Sequence, residues 1–210
     1  MMVMLKICSC KRKRLVVYSG RQIGIYRYGE HYMDAKKAIK AQFMKEYVKK
    51  DFTSIHVKSL CAATPVARTT FYSYFDNTDD VRCDIEDDII RDLEAVTISI
   101  SEGSLPDMDF ALFMDAVEAY IRKRWSDIRA FLVIQPNPRF IRKWKDSIKL
   151  HFSERYPEKQ RIGNYDAVAE IVASAMLAAY AYWMEHPDTV STEEIKPLIH
   201  QMLDALVTFL

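Results

Sequence analysis

The chain has 210 residues, of which 50% are apolar and 28% charged, with 5 glycines and 7 prolines, a composition typical of a globular and mainly helical protein. Four scattered cysteines exclude a disulfide framework, and the apolar residues near Met1 are interrupted by Lys6, which excludes a signal peptide. The longest apolar segment, residues 171–184, has 14 residues. Because a membrane span needs about 20, we expect a soluble, cytoplasmic protein.

The net charge of +1 conceals an uneven distribution along the chain. Residues 1–33 carry 7 basic residues and 1 acidic residue, and residues 34–75 carry 8 and 3. Residues 76–102 carry 2 basic and 10 acidic residues. The positive charge therefore lies in the N-terminal third of the chain, where a polyanionic partner would be attracted.

Residues 1–33 differ from the rest of the sequence, with three glycines, the basic run Lys11–Arg14 and no sustained hydrophobic period. The basic run is compatible with an arm that enters the minor groove of DNA. The alternative, which we favour, is that Met33 is the physiological start, so that residues 1–33 are a disordered extension or a translated upstream segment. Cys8 and Cys10 lack a second pair of ligands at metal-binding spacing, so we expect no metal and no cofactor.

From Met33 onward the pattern is helical. The first helix carries Ile39, Phe43 and Tyr47 at four-residue spacing. A second, short helix over residues 57–61 must end by about residue 63, because the residue before Pro65 is pushed out of the helical region. The third helix lies in the stretch TPVARTTFYSYF, residues 64–75. At about 100° per residue, its two phenylalanines face inward and its hydroxyl side chains face outward.

The remainder of the sequence also predicts helices. Cap candidates and carboxylates at residues 76–80 start a long acidic helix that runs to about Glu94. Further helices are predicted over residues 110–121, 128–134, 140–152 and 165–185, and a last one is capped at Ser191 and runs to the end of the chain. No strand-like alternation exceeds a few residues. The predicted fold is all-α, with a small three-helix domain at 34–78 and a larger helical domain at 79–210.

A short helix, a tight turn and a second helix, packed on an upstream helix, form the plan of a helix-turn-helix, whose second helix enters the major groove. Arg68 is the long donor on the outward face and can bond guanine O6 and N7 together. The neighbouring hydroxyls can reach phosphate oxygens. The predicted DNA-facing residues of this helix are Arg68, Thr69, Thr70, Tyr72 and Tyr74.

The segment FTSIHVKSLCAATPVARTTFYSYFDNTDDV, residues 52–81, closely resembles the DNA-binding motif of the TetR (tetracycline-repressor-like) regulators, and the likeness extends from about Asp34 to the end of the chain. The resemblance implies a homodimer that binds palindromic double-stranded operator DNA and is regulated, most simply as a repressor, by a small effector. It also implies further DNA-facing positions and three that pack the motif. The DNA-facing positions are Lys50, His56 and Thr78, and the packing positions are Val66, Phe71 and Phe75.

The chain departs from the family motif at three places. The turn position that is usually glycine is Pro65, whose φ cannot become left-handed. Ala67 and His56 stand where hydroxyl residues usually cap the two helices, and each change removes a cap of about 1 kcal/mol. Either the domain is less stable as a result or Thr53 and Thr64 cap the helices instead, and we expect Thr78, in place of the usual lysine, to weaken nonspecific affinity.

In the larger domain, aromatic and methionine side chains at helical spacing are compatible either with a plain core or with an apolar effector pocket. Small residues on the last two helices would let a partner subunit approach closely. Scattered histidines and a Ser174 without a glycine elbow favour no catalytic site, and the alternatives to a regulator are a protein-binding adaptor or coactivator and, less favoured, a helical enzyme. The pocket candidates are Phe113, Tyr120, Trp125, Trp144, Met176 and Tyr180, and the dimer candidates are Ser174, Ala178, Ala181, Tyr182, Leu203 and Leu206.

Overall fold

A computed structural model of the chain describes residues 25–101 and 110–209, with side chains at 35–100 and 111–209. These residues form nine α-helices and contain no strand, which confirms the predicted all-α class. The helices are α1 (Ile25–Tyr47), α2 (Val57–Ala62), α3 (Arg68–Tyr74), α4 (Thr78–Ser101), α5 (Phe110–Lys123), α6 (Trp125–Arg129), α7 (Pro138–Arg155), α8 (Tyr165–Glu185) and α9 (Thr192–Val207).

The first helix begins earlier than the sequence predicted. Its first residue is Ile25, so Met33 lies inside α1 rather than at its start. The weak hydrophobic period and Gly29 concealed this extension, since an interior glycine costs about 1 kcal/mol but does not by itself end a helix. Lys11–Arg14, Cys8 and Cys10 lie outside the described residues.

Local capping explains where the later helices begin. Asn77 Oδ1 accepts the backbone N–H of Asp79 (2.8 Å) and of Asp80 (3.0 Å), so the predicted start signal opens α4 at Thr78. The helix continues past Glu94 to Ser101, further than predicted. At α9, the Glu194 carboxylate accepts the backbone N–H of Ser191 at 2.9 Å. Both starts follow the expected preference for a polar cap with acidic residues in the first turn.

The helix that the sequence predicted over residues 128–134 is divided in two. α6 ends at Arg129 and continues as a π-helical segment, Ala130–Ile134, in which the Gln135 N–H donates to the Ala130 carbonyl at 2.9 Å. π-segments are uncommon single-turn insertions. Gln135 then leaves the helical conformation with φ −133° and ψ 83°, directly before Pro136.

The chain forms two compact units. The first contains the described part of Met1–Phe43 together with Ile55–Cys83, and the second contains Met44–Ser54 and Asp84–Leu210. The boundaries therefore lie within α1, after Phe43, between Ser54 and Ile55, and within α4, after Cys83. In the first unit the fully buried side chains are Ile39, Phe43, Leu60, Phe71 and Val81; in the second they include Ile89, Ile121, Ile128, Phe131, Phe140 and Met184.

Among the described residues, α8 has the length and apolarity of a membrane-spanning helix, with a mean hydropathy of 1.4 over its most apolar window. Half of that window is buried within the chain. The Glu170 carboxylate, on the same helix, accepts bonds from Lys145 (2.6 Å) and Lys149 (3.1 Å) on α7. These contacts tie α8 to α7 within the larger unit.

Candidate nucleic-acid interface

The inward side of α3 fixes its position on α1 and α2. Phe71 is fully buried, and Phe75 and Val66 are 4% and 6% exposed. The rings of Phe71 and Phe75 lie 5.8 Å apart, and Lys36 Nζ on α1 lies 5.7 Å from the centre of the Phe75 ring. The three residues assigned to motif packing are thus all buried, and they hold α3 as a rigid element.

The opposite side of α3 is open to solvent. Tyr72 is 55% exposed although its ring stands edge-on to the buried Phe71 ring at 5.5 Å. The Ser73 hydroxyl donates to the Thr70 carbonyl at 2.7 Å, so it is engaged within its own helix rather than offered outward. Of the predicted DNA-facing residues on α3, Arg68, Thr69 and Tyr72 are exposed and Thr70 and Tyr74 are half-buried.

Arg68 is the first residue of α3, at the end of the helix that a helix-turn-helix presents to bases. Its guanidinium is near the Cys61 thiol on α2. Burial raises the pKa of Cys61, and the positive charge of Arg68 partly opposes that rise. Lys37 and Lys58 are further exposed cations of this unit. Arg68, Lys37 and Lys58 are thus exposed cations of the unit that contains α3.

The two motif helices begin without side-chain caps at His56 and Ala67, and the alternative cap from Thr64 is not formed. His56 and Ala67 both have extended cap conformations without a side-chain hydrogen bond. The Thr64 hydroxyl donates to the Leu60 carbonyl at 2.9 Å, so it closes the C-terminal end of α2 and does not cap α3. Ala63, the C-cap of α2, has φ −95°, outside the left-handed region.

The three remaining predicted contact residues lie outside α3. Lys50 Nζ pairs with Glu46 at 2.6 Å, so its charge is partly balanced within the chain. His56 is exposed, and Thr78 is half-buried at the first position of α4. Among the predicted DNA contacts, Arg68 is therefore the one that carries an exposed positive charge within the two motif helices.

In the larger unit, four of the six predicted pocket residues meet at one small cavity of about 30 Å³. Tyr120 is not among its lining residues, because its hydroxyl donates to the Ile89 carbonyl at 3.2 Å. Trp125 packs instead against Trp183. The cavity is lined by Phe113, Trp144, Met176 and Tyr180 as predicted, and also by Leu93, Thr97, Val117, Ser147, Ile148 and His151.

The cavity walls are more polar than the sequence analysis expected. Burial lowers the pKa of His151, so its imidazole is neutral at pH 7, and burial raises the pKa of Tyr180. The Trp144 and Tyr180 rings stack at 5.7 Å with a 13° interplanar angle. Ser147 and His151 lie three and seven residues after Trp144, so the three share one face of α7. This spacing in the sequence could have identified Ser147 and His151 as wall residues of the cavity. The cavity volume is close to that of one water molecule.

The predicted dimer residues fall into three groups by their exposure within the chain. Tyr182 is 51% exposed, and Ala178 is exposed on the same face of α8 as Ile171, which is 51% exposed. Leu203 is 5% exposed within its own chain, so little of its side chain is open to a partner. Ser174, Ala181 and Leu206 are half-buried, and Ile171 and Leu198, which were not among the dimer candidates, are exposed.

The described residues offer no group of three or more His, Cys, Asp or Glu side chains that could hold a metal ion. The Ser174 hydroxyl donates to the Glu170 carbonyl at 2.7 Å in its own helix. Its contacts are those of a structural serine.

The described part of the chain is all-α, with two short helices, α2 and α3, joined by a turn, and an exposed polar face on α3. Neither the known family profiles nor the sequences of curated proteins match the chain. Solved structures do match it, and the predicted resemblance to TetR-family transcriptional regulators is confirmed in the fold.

Three structural neighbours illustrate this likeness. A TetR transcriptional regulator from Streptococcus agalactiae has a TM-score of 0.64 and 16% identity, over 86% of this chain and 99% of its own. A protein assigned to the TetR family from Syntrophomonas wolfei has a TM-score of 0.60 and 14% identity, over 84% and 95%. The dihydroxyacetone kinase operon activator DhaS has a TM-score of 0.54 and 15% identity, over 84% and 96%.

Proposed function

We propose that this protein is a cytoplasmic, DNA-binding transcriptional regulator. The observation that carries the proposal is the two-sided character of α3, whose Phe71 is fully buried while Arg68, Thr69 and Tyr72 are exposed. A helix that serves only the core would not need an outward face of hydroxyls with one guanidinium. Such a face suits a helix that lies in the major groove of DNA.

In the proposed complex, the first turn of α3 approaches base edges. Arg68 bonds the O6 and N7 atoms of a guanine, which makes it the main source of sequence preference. Thr69 and Tyr72 reach phosphate oxygens or base edges with their hydroxyls and fix the register. The exposed lysines Lys37 and Lys58 add attraction that does not depend on sequence and that salt weakens.

The protein is proposed to act as a homodimer. Ile171, Ala175, Ala178 and Tyr182 recur at three- or four-residue spacing on α8, which places them on one face. On α9, Leu198 is 60% exposed. An exposed apolar stripe of this kind marks an interaction surface, and a second copy of the chain provides a self-complementary partner by two-fold symmetry.

The larger unit is proposed to take a small effector at the cavity between α4, α5, α7 and α8. The polar groups that line it, Thr97, Ser147, His151 and Tyr180, indicate a ligand with hydrogen-bonding atoms on an aromatic or apolar frame. A ligand larger than a few atoms must move the cavity walls apart. Because α4 runs on from the end of α3 with three residues between them, such a movement would also reposition the DNA-binding helices.

The direction of regulation is a separate part of the proposal. Repression is the simplest mode for a dimer that occupies an operator, and an effector that favours the DNA-free state would relieve it. The structural neighbour DhaS is named as an operon activator. A reporter gene downstream of the bound fragment, measured with and without the protein, separates repression from activation.

Selection of bound fragments from a genomic library, followed by gel shift, tests the proposal. We expect enrichment of a palindrome whose half-sites lie about 34–36 Å apart along the duplex. Scrambled DNA of the same length and composition is the control, because it retains the nonspecific attraction. Equal affinity for both DNAs would contradict the proposal and would favour a protein-binding adaptor with the same fold.

A further inference from the structure

A second, larger depression lies in the larger unit and shares no residue with the effector cavity. Its volume is about 670 Å³, which falls in the range of about 300–1,000 Å³ typical of small-molecule sites. Its walls come from the C-terminal half of α5, the start of α6, the end of α8 and the segment that leads into α9. It is lined by Arg122, Trp125, Trp183 and residues 187–194.

Two indole rings form the apolar part of the depression. Trp125 and Trp183 meet edge to face with centroids 4.9 Å apart and an interplanar angle of 76°. The Arg122 guanidinium carbon lies 5.0 Å from the centre of the Trp183 ring. One cation of the chain, the Arg122 guanidinium, therefore already lies over an indole ring at this depression. Trp183 is 3% exposed, whereas Trp125 is half-buried and can contact a ligand.

The charge of Arg122 is engaged by neighbours on the chain. Its Nε donates to Glu118 Oε1 at 2.7 Å, and its Nη2 donates to Thr192 Oγ1 at 3.4 Å. Glu118 also pairs with Lys196, which in turn bonds Asp115 at 2.5 Å. Two cations and two carboxylates thus balance one another at this wall, and they leave little net charge to attract a ligand.

The remaining charged groups on the lining are carboxylates. Glu194 is tied to the N-terminal end of α9, where it accepts the Ser191 N–H at 2.9 Å. Asp188 and Glu193 are both exposed at the rim. The N-terminus of a helix would by itself favour an anion. Here the carboxylates of Glu193 and Glu194 occupy the first turn of α9, so the depression favours a cation.

We propose that this depression binds a small organic cation, an alkylated ammonium with apolar substituents. Trp125 provides the aromatic surface, since tryptophan is the strongest side-chain partner for a cation. Asp188 and Glu193 provide the opposite charge. The site shares no residue with α3 or with the effector cavity, and it would give the regulator a second chemical input.

Three probes that share a benzene ring test the proposal on the full chain. Benzyltrimethylammonium, benzyl alcohol and benzoate differ mainly in charge, and their binding can be followed by tryptophan fluorescence and ligand-observed NMR. We expect benzyltrimethylammonium to bind about tenfold more tightly than benzyl alcohol, and benzoate to bind most weakly. Equal affinities, tighter binding of benzoate, or no binding of the cation at millimolar concentration would each overturn the proposal.

Substitutions in the lining test whether benzyltrimethylammonium binds in this depression. The double variant Asp188→Asn, Glu193→Gln should weaken benzyltrimethylammonium about tenfold and leave benzyl alcohol unchanged, because it removes charge without changing shape. Glu158→Gln, at an exposed carboxylate that does not line the depression, is the matched control and should change neither affinity. All three substitutions are at exposed positions, so the variants should fold. Unchanged binding of the cation to the double variant would overturn the assignment.

Discussion

Tyr47 and Gln135 hold each other through reciprocal hydrogen bonds although 88 positions separate them in the sequence. The Tyr47 hydroxyl donates to the Gln135 backbone carbonyl at 3.1 Å, and the Gln135 side-chain amide donates back to the Tyr47 carbonyl. The same amide donates to the Lys50 carbonyl at 2.8 Å. Gln135 therefore satisfies carbonyls at the C-terminal end of α1, where a helix leaves its last carbonyl groups unpaired.

This relationship predicts a cost for shortening Gln135. Gln135→Ala should lower the free energy of unfolding by about 1–3 kcal/mol, because two part-buried carbonyls lose their donor. Urea unfolding measures the change. The control is Gln160→Ala, whose exposed amide donates to the Ser153 carbonyl at 2.7 Å and should cost less than about 0.5 kcal/mol. Equal effects of the two substitutions would show that Gln135 does not anchor α1.

A buried carboxylate forms a second link, between α4 and α7. Glu86 is fully buried and accepts bonds from Asn137 Nδ2 (2.7 Å), Arg139 Nε (2.8 Å) and Lys143 Nζ (3.0 Å). Lys143 also bonds Asp87 at 2.5 Å. Asn137 in turn caps α7, since its Oδ1 accepts the Arg139 N–H. The start of α7 and the middle of α4 are thus fixed by one ionic cluster.

Glu86→Ala should lower the free energy of unfolding by about 3–5 kcal/mol, because it leaves two partly buried cations without their shared anion. Asp87→Asn is a matched control on the same lysine. Asp87 is 43% exposed, so its loss should cost about 1 kcal/mol or less. Thermal and urea unfolding measure both. A cost for Asp87→Asn as large as that for Glu86→Ala would contradict the burial argument.

The sequence predicted the helices better than it predicted the contacts between them. The inward period of Ile39, Phe43 and Tyr47 and the caps at Asn77 and Ser191 are local signals, and they identified helices that the structure contains. Glu86 lies 51 positions from Asn137, and nothing in its acidic neighbourhood distinguishes it from solvated carboxylates. Its burial depends on how α4 packs on α7, which single-sequence periodicity does not contain.

For the candidate sites as well, features within one helix could be predicted from the sequence, whereas contacts between helices could not. Phe71 and Arg68 could be assigned to opposite sides of α3 because helical spacing decides the question within one element. The cavity required side chains from four helices; Trp144 and Tyr180 line it, whereas Trp125 lines the other depression and Tyr120 lines neither. For Leu203, α9 carries apolar residues on more than one face, and periodicity alone does not decide which face meets a partner.

Arg68→Ala should weaken binding to the selected operator by about 1–3 kcal/mol and relax the base preference at one position in each half-site. Lys50→Ala is the comparison: its side chain pairs with Glu46, and its loss should weaken all DNA sequences alike by a smaller factor. Repeating the fragment selection with each variant measures both effects. An unchanged preferred sequence for Arg68→Ala would show that Arg68 does not read a base.

Ile171→Arg should raise the dissociation constant of the dimer by about tenfold or more, because it places a charge in the apolar stripe of α8. Leu112→Arg is the control, since Leu112 on α5 is 56% exposed, comparable to the 51% of Ile171. Sedimentation equilibrium measures the dissociation constant of each variant. If both variants dissociate equally, or neither does, the stripe on α8 is not the dimer contact.

The effector cavity leads to a prediction about coupling between the two ligands. If an effector opens the cavity and favours the DNA-free state, operator DNA must weaken effector binding by the same factor, which for couplings of about 1–3 kcal/mol is roughly 5- to 150-fold. Trp144 lies in the cavity wall, stacked on Tyr180, so its fluorescence should report ligand entry. Candidate aromatic compounds with hydrogen-bonding groups can be titrated with and without operator.

The variant Trp144→Phe tests whether the fluorescence change comes from Trp144 in the wall of the effector cavity. The substitution should remove most of the fluorescence change and weaken the effector, while Trp125 and Trp183, which lie at the other depression, continue to emit. Because Phe retains an apolar ring, the variant should still fold and bind operator, which gel shift verifies. Equal effector affinities with and without operator would contradict the coupling, and the protein would then be a regulator controlled through another surface.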